Sequence, residues 1–173
     1  TAYCVMEYIQ GKTLKGVMAQ YGGRIPIPKA VDIIFKVGET LKIINQKYHI
    51  FHRDLSPENI LIRENGEPVI IDFGNAKNYM RNEGNSMSIV LKPGFAPPEQ
   101  YTGKDQGPWT DVYFLAGILY YIISGTKVSP STERIMGATY EPLCEKVPEC
   151  PTSISNAIDR ALVLNPKERI QDT

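Results

Sequence analysis

Residues 52–62 read HRDLSPENILI, and residues 69–76 read VIIDFGNA. Each stretch sets charged or amide side chains directly against a run of β-branched residues. Ile60 to Ile62 and Pro68 to Ile71 are short strand-forming runs, and Glu64-Asn65-Gly66-Glu67 between them carries the Asn-Gly pair of a tight hairpin turn. The hairpin places HRDLSPEN on the loop before it and Asp72-Phe73-Gly74 on the loop after it. Asp54, Asn59 and Asp72 thus converge at one edge of a small β element. Phosphoryl transfer asks a protein for a carboxylate to orient the attacking hydroxyl and take its proton, oxygen ligands for metal on the phosphates, and positive charge at the transferring group. The two loops offer the first two of these in order.

Most of the remaining chain reads as helix. From Pro28 to Tyr48, apolar residues fall at Ala30, Val31, Ile34, Phe35, Val37, Leu41, Ile44 and Tyr48, the spacing of an amphipathic helix with one face in the core. Asp111 to Ile123 is apolar nearly all round, which predicts a helix buried on every side. Ser153 to Leu164 reads as a further amphipathic helix, with Ser153 or Ser155 available as its cap. Tyr3 to Tyr8 suits a strand that ends at the turn signal Gln10-Gly11, and Asn75 to Phe95 lacks periodicity and reads as a long loop. The expected fold class is mainly α (α+β), a helical body with a small β element at one edge.

Bulk composition excludes more than it assigns. The 173 residues suffice for one domain with a sizeable core, and 42% hydrophobic content argues against disorder. Lys+Arg and Asp+Glu balance at 19 each, so no net field points to nucleic acid or an anionic membrane. Cys4, Cys144 and Cys150 lack metal-ligand spacing and read as reduced, partly buried thiols of a cytoplasmic protein. The longest nearly apolar run, Val112 to Ile123, is too short to span a bilayer.

Several further motifs follow one another in a fixed order: MEY from Met6, PPE at Pro97 to Glu99, DVYFLAG at Asp111 to Gly117, and NPKER ending at Arg169. With H-R-D-x-x-x-x-N and D-F-G, this series resembles a bacterial eukaryotic-like (Hanks-type) serine/threonine protein kinase over the entire chain. The resemblance implies a kinase-like fold represented by its hinge and large helical C-lobe. Residues 1–10 would be the last N-lobe strand and the hinge, 52–59 the catalytic loop and 72–99 the activation segment of a partial catalytic domain spanning 1–173.

The same resemblance implies roles. Asp54 would be the catalytic base, Asn59 and Asp72 the ligands of Mg²⁺ (or Mn²⁺), and Phe73 and Gly74 the pivot of the following loop. Met6 would guard the back of the ATP pocket, Glu7 to Ile9 would hold adenine through their backbone, and Leu61 would lie beneath the ring. His52 and Asp111 would be structural, His52 packed under the catalytic loop and Asp111 accepting hydrogen bonds from its backbone. Glu99 and Arg169 would form a buried ion pair whose disruption costs roughly 3–5 kcal/mol. Arg53 would bind a phosphorylated activation-loop residue, Ser88 or alternatively Ser86.

Two positions depart from the family pattern. Ser56 stands where the catalytic loop usually has Lys, and Lys92 stands in LKPGF where the family usually has Thr. In the family fold those positions touch, which predicts a swap: Lys92 extends its ammonium into the space vacated at 56, and Ser56 supplies the hydroxyl.

No G-x-G-x-x-G loop or V-A-I-K strand is present among the 173 residues, and the chain opens on TAYCVMEYIQG without an initiator Met. It therefore reads as a fragment lacking its N-lobe and inactive alone, with a protein substrate for the whole enzyme. The uncovered lobe face invites artefactual self-association. A pseudokinase scaffold and a small-molecule phosphotransferase are the alternative readings. The intact Asp54, Asn59 and Asp72 argue against the first, and KPGFAPPEQY argues against the second.

Overall fold

The computed structural model describes residues 5, 7–73, 77–78, 91–103 and 106–172, the side chains of Lys77 and Asn78 excepted. Strand β1 (Gly11–Thr13) runs into helix α1 (Leu14–Gln20), and the long helix α2 (Ile27–Tyr48) follows. Four short strands come next: β2 (Ile50–Phe51), β3 (Ile60–Arg63), β4 (Pro68–Ile70) and β5 (Lys77–Asn78). Helices α3 (Pro98–Thr102), α4 (Pro108–Ser124), α5 (Ser131–Ile135), α6 (Leu143–Lys146) and α7 (Thr152–Ala161) complete the body, with a 3-10 turn at Pro166–Glu168.

α4 is the axis of the core. Its apolar sequence leaves only Leu119 and Tyr121 half-buried between Thr110 and Ser124, so every face meets protein. α2 and α7 pack on it, and Gly38 of α2 admits Leu115 of α4 at van der Waals distance. α2 starts at Pro26-Ile27-Pro28, where proline costs the helix no hydrogen bond, and stops at His49 in the left-handed conformation (φ 51°). Its inward residues are Ala30, Ile33, Ile34, Val37, Gly38 and Leu41. Ile33 belongs to this face although the spacing did not select it; Val31 and Ile44 lie at its margins, and Phe35 and Tyr48 are exposed.

The β element is an antiparallel three-stranded sheet in the order β1-β3-β4. The hairpin expected at Asn65-Gly66 is present: Gly66 has φ 87°, and the Asn65 side chain accepts from the Glu67 amide at 3.0 Å. Ile60 and Ile62 of β3 face the core, which leaves Leu61 and Arg63 on the opposite face. β1 is a correction. A turn is expected at Gln10-Gly11, yet Gly11–Thr13 pairs with β3, and a side chain at Gly11 would stand 2.4 Å from the Ile62 carbonyl oxygen.

The strand expected at Tyr3 to Tyr8 is not formed at its described residues. Val5 and Glu7 to Gln10 carry no regular structure, and Val5 and Tyr8 are 89% and 88% exposed. A β-forming composition makes a strand only where a neighbour completes the ladder, and β3 already has a partner on each side. The long loop read at Asn75 to Phe95 is likewise interrupted, because Lys77–Asn78 pairs with Ile50–Phe51.

α7 begins one residue before Ser153 and is preceded by Pro151, so neither serine caps it. The Ser155 hydroxyl is buried and accepts from the Cys144 amide at 3.1 Å, joining α7 to α6. Cys144 and Cys150 are free thiols, half-buried and buried; Cys4 lies outside the described residues. Among the described residues no helix is long and apolar enough to cross a membrane.

Candidate active site

Residues 52–59 form an irregular loop between β2 and β3, and α4 holds it from below. The Asp111 carboxylate, in the first turn of α4, accepts from the His52 and Arg53 amides at 2.9 Å each. Burial pushes its carboxyl up from the ordinary range, and those amides and the neighbouring cationic groups only partly oppose this. His52 is fully buried, with Nε2 3.1 Å from the Ile71 carbonyl oxygen and its ring 4.7 Å from that of Phe73. One histidine therefore joins the loop carrying Asp54 to the loop carrying Asp72.

Arg53 and Asp72 hold positive φ, 66° and 63°, a conformation worth roughly 1–3 kcal/mol of strain for a side-chain-bearing residue. At Arg53 the strain is over-determined. Its amide is held by Asp111, its carbonyl by the Gln100 side chain and its guanidinium by the Gln106 side chain. Burial lowers the Arg53 pKa from its ordinary value, with the Asp111 charge acting the other way. Gln100 and Gln106 were not singled out from sequence, because nothing in their neighbourhood marks a glutamine for contact with a loop some fifty positions upstream.

The centre of the site is a compact polar cluster. Lys92 Nζ stands 2.9 Å from Asp54 Oδ1 and 3.0 Å from Ser56 Oγ, so the two departures from the family pattern are in contact. Asn59 Nδ2 donates to the Asp54 carbonyl oxygen at 2.8 Å, and the Asn59 amide donates to the Ser56 carbonyl at 2.9 Å. The Ile71 amide donates to the Asn59 carbonyl at 2.9 Å, which sets Asp72 beside the loop.

On the outer side, Lys15 at the start of α1 pairs with Glu58 at 2.8 Å, and the Lys15 amide donates to the Pro57 carbonyl. Partial burial would raise the Glu58 carboxyl. Hydrogen bonds from Lys15, its own backbone and Ser56, with the Lys15 charge, outweigh this and hold it below the usual carboxylate range.

The donor set suits a hard cation. Asn59 directs its amide nitrogen to the Asp54 carbonyl, so its side-chain oxygen and the Asp72 carboxylate are donors of the type a hard cation takes. Magnesium is typically held by one or two carboxylates together with substrate phosphates. Among the described residues there is no cluster of three or more His, Cys, Asp or Glu that could hold a metal ion.

Glu99 and Arg169 form the second centre. The guanidinium meets both carboxylate oxygens, at 2.6 and 3.1 Å, and also donates to the Trp109 and Val163 carbonyls at 2.8 and 3.0 Å. Thr110 Oγ1 donates to Glu99 Oε1 at 3.1 Å, and the Tyr113 ring lies 4.8 Å beneath the cation. The pair ties α3 to the 3-10 turn at the end of the chain.

The nucleotide side is less complete. Leu61 is half-buried on the outward face of β3, Ile9 is half-buried, and the exposed Glu7 side chain pairs with Arg63 at 3.2 Å. Met6, Gly74, Ser86 and Ser88 lie outside the described residues.

Comparison with known proteins bears on this arrangement. The family model described as "Protein kinase domain" matches residues 1–172. A probable serine/threonine-protein kinase of Clostridium perfringens is 31% identical over 98% of this chain and 25% of its own length. Serine/threonine-protein kinase PknA of Mycobacterium tuberculosis is 32% identical over 98% of the chain and 40% of its own length. PknA of a Nostoc species is 31% identical over 96% and 30%. The chain thus spans 25–40% of the length of these relatives. With one family model matching residues 1–172, the chain belongs to the protein kinase domain family.

Proposed function

We propose that these residues are the hinge and large lobe of a serine/threonine protein kinase, and that Lys92 supplies the cation which its catalytic loop lacks. The observation that carries this reading is the contact of Lys92 Nζ with both Asp54 and Ser56. In most family members a catalytic-loop Lys and a segment Thr occupy these places; here the same cation and hydroxyl come from exchanged positions.

In this reading Asp54 orients a Ser or Thr hydroxyl and takes its proton as the oxygen bonds to the γ-phosphorus of ATP. The bond to the bridging oxygen breaks, and ADP leaves with that electron pair. Asn59 and Asp72 would hold Mg²⁺, which would offset the charge of the phosphates. Lys92, on a flexible stem, reaches from Asp54 toward the transferring group and offsets the charge that accumulates there. Leu61 and the backbone of Glu7 to Ile9 line the adenine side. Arg53, whose Nε donates to the Gln106 side chain, answers a phosphate on the activation loop. The acceptor is a protein.

The test is ATP-dependent autophosphorylation by the full-length protein. Asp54→Asn should lower it by roughly 100-fold or more. Lys92→Ala should lower it comparably to removal of one transition-state donor, roughly 100-fold. Near-normal turnover of Lys92→Ala would remove the assignment of the cation while leaving the family untouched.

A further inference from the structure

An ammonium on a four-carbon stem is only as well placed as the backbone that launches it, and the backbone at Lys92 has a specific anchor. The Lys92 carbonyl accepts from the Phe95 and Ala96 amides at 3.0 and 3.1 Å, closing a turn. Gly94 (φ 84°) lets that turn lie flat on the body, where a side chain would meet Lys127 and the Val128 carbonyl oxygen at 2.9 and 3.0 Å. Phe95 is buried against Tyr121, ring centroids 5.7 Å apart. At the next peptide, the Ala96 carbonyl accepts from Ser131 Oγ at 2.8 Å.

Ser131 and Ala96 are each 1% exposed, so water does not replace this bond. Ser131 is the first residue of α5, whose cap is Pro130, and its hydroxyl is directed to the segment instead of the helix end.

We propose that Ser131 is a positioning residue for phosphoryl transfer: through the Ala96 peptide it fixes the turn from which Lys92 reaches Asp54 and Ser56. This rests on the reading of Lys92 as the cation of the site. A lysine on the catalytic loop would be indifferent to that turn, because Asp111 and Asn59 already fix the loop. Here the charge is delivered from outside the loop, and the delivering turn is held by α5.

The experiment is a double-mutant cycle in the full-length protein, read by steady-state hydrolysis of ATP to ADP and phosphate without a protein acceptor. Using water as the acceptor keeps protein docking out of the measurement. Ser131→Ala should lower kcat about tenfold with the KM for ATP unchanged, and Ser131→Thr should retain most of the rate. In a Lys92→Ala background the same change should cost less than about twofold, since the group it positions is gone.

Full multiplication of the two losses, or no loss from Ser131→Ala, overturns the proposal while the assignment of Lys92 stands. A native rate for Lys92→Ala overturns the assignment itself. If Ser131→Ala does not fold, Ser131→Cys, which keeps the volume and weakens the hydrogen bond, runs the same cycle to the same two outcomes.

Discussion

Among the described residues two ion pairs join the stretch from Leu91 to Gln100 to the rest of the molecule, and they are built to opposite specifications. Arg169 and Glu99 have side chains 0% and 3% exposed, paired at both oxygens, with the remaining donors on backbone carbonyls. Lys92 and Asp54 are 29% and 14% exposed and meet through one carboxylate oxygen. In the first pair every nitrogen of the guanidinium is engaged. The second is partly exposed and sets an ammonium between a carboxylate and a hydroxyl, which in the proposed reading leaves it within reach of an incoming anion.

That contrast can be broken experimentally, first at its strongest point. Arg169→Ala leaves Glu99 charged in the interior, and the expected loss is about 3–5 kcal/mol of unfolding free energy. Urea denaturation of the full-length protein measures it, and a loss below about 1 kcal/mol would show that the tie is elsewhere. Lys92→Ala should behave in the opposite way, leaving the denaturation midpoint near native while phosphoryl transfer falls roughly 100-fold.

The sharpening variant is Ser56→Lys combined with Lys92→Thr, which restores the usual arrangement. It should recover most of the rate lost by Lys92→Ala, whereas Lys92→Thr alone should not. Failure of the pair to exceed Lys92→Thr alone would separate contact from function at these two positions.

The smallest effect concerns Lys15 and Glu58. Hydrogen bonding holds the Glu58 carboxyl below its ordinary value of 4.5 in the folded protein. A depressed carboxyl contributes stability that is fully present above the unfolded value and is lost as pH falls through the folded one. Lys15→Ala should therefore leave stability unchanged on the acid side of that window and lower it slightly above, with screening by salt. A pH series of denaturation midpoints that runs parallel to native throughout would rule this out.

Legibility in the sequence followed the range of the interactions. α2, α4 and the Asn65-Gly66 hairpin are set by local spacing and turn chemistry, and they stand near their expected bounds. β1 and β5 were not legible, because strands of three and two residues exist only by virtue of their partners, Arg63 to Leu61 for one and Ile50–Phe51 for the other. Ser153 and Ser155 illustrate a different limit: a hydroxyl suited to capping is equally suited to a neighbour's amide, and tertiary packing chose Cys144. At the site, Asp54, Asn59 and Asp72 were marked by their loops, and the contact of Lys92 with Ser56 was reached by comparing two unusual positions with a family pattern. Gln100, Gln106 and Ser131 act through backbone carbonyls or a single buried bond, for which sequence carries no signature.

Three non-glycine residues hold positive φ among the described residues: His49, Arg53 and Asp72. His49 closes a helix, but the other two bracket the stretch that contains Asp54, Ser56, Asn59 and Leu61. This constrains the routes open to mutation. In the proposed reading the residue at 72 presents an oxygen to a metal and also tolerates the left-handed conformation, a combination that asparagine comes nearest to sharing. Drift at that position is thus channelled toward a neutral amide of nearly the same shape, so loss of metal binding in descendants of this chain would leave the fold almost unmarked.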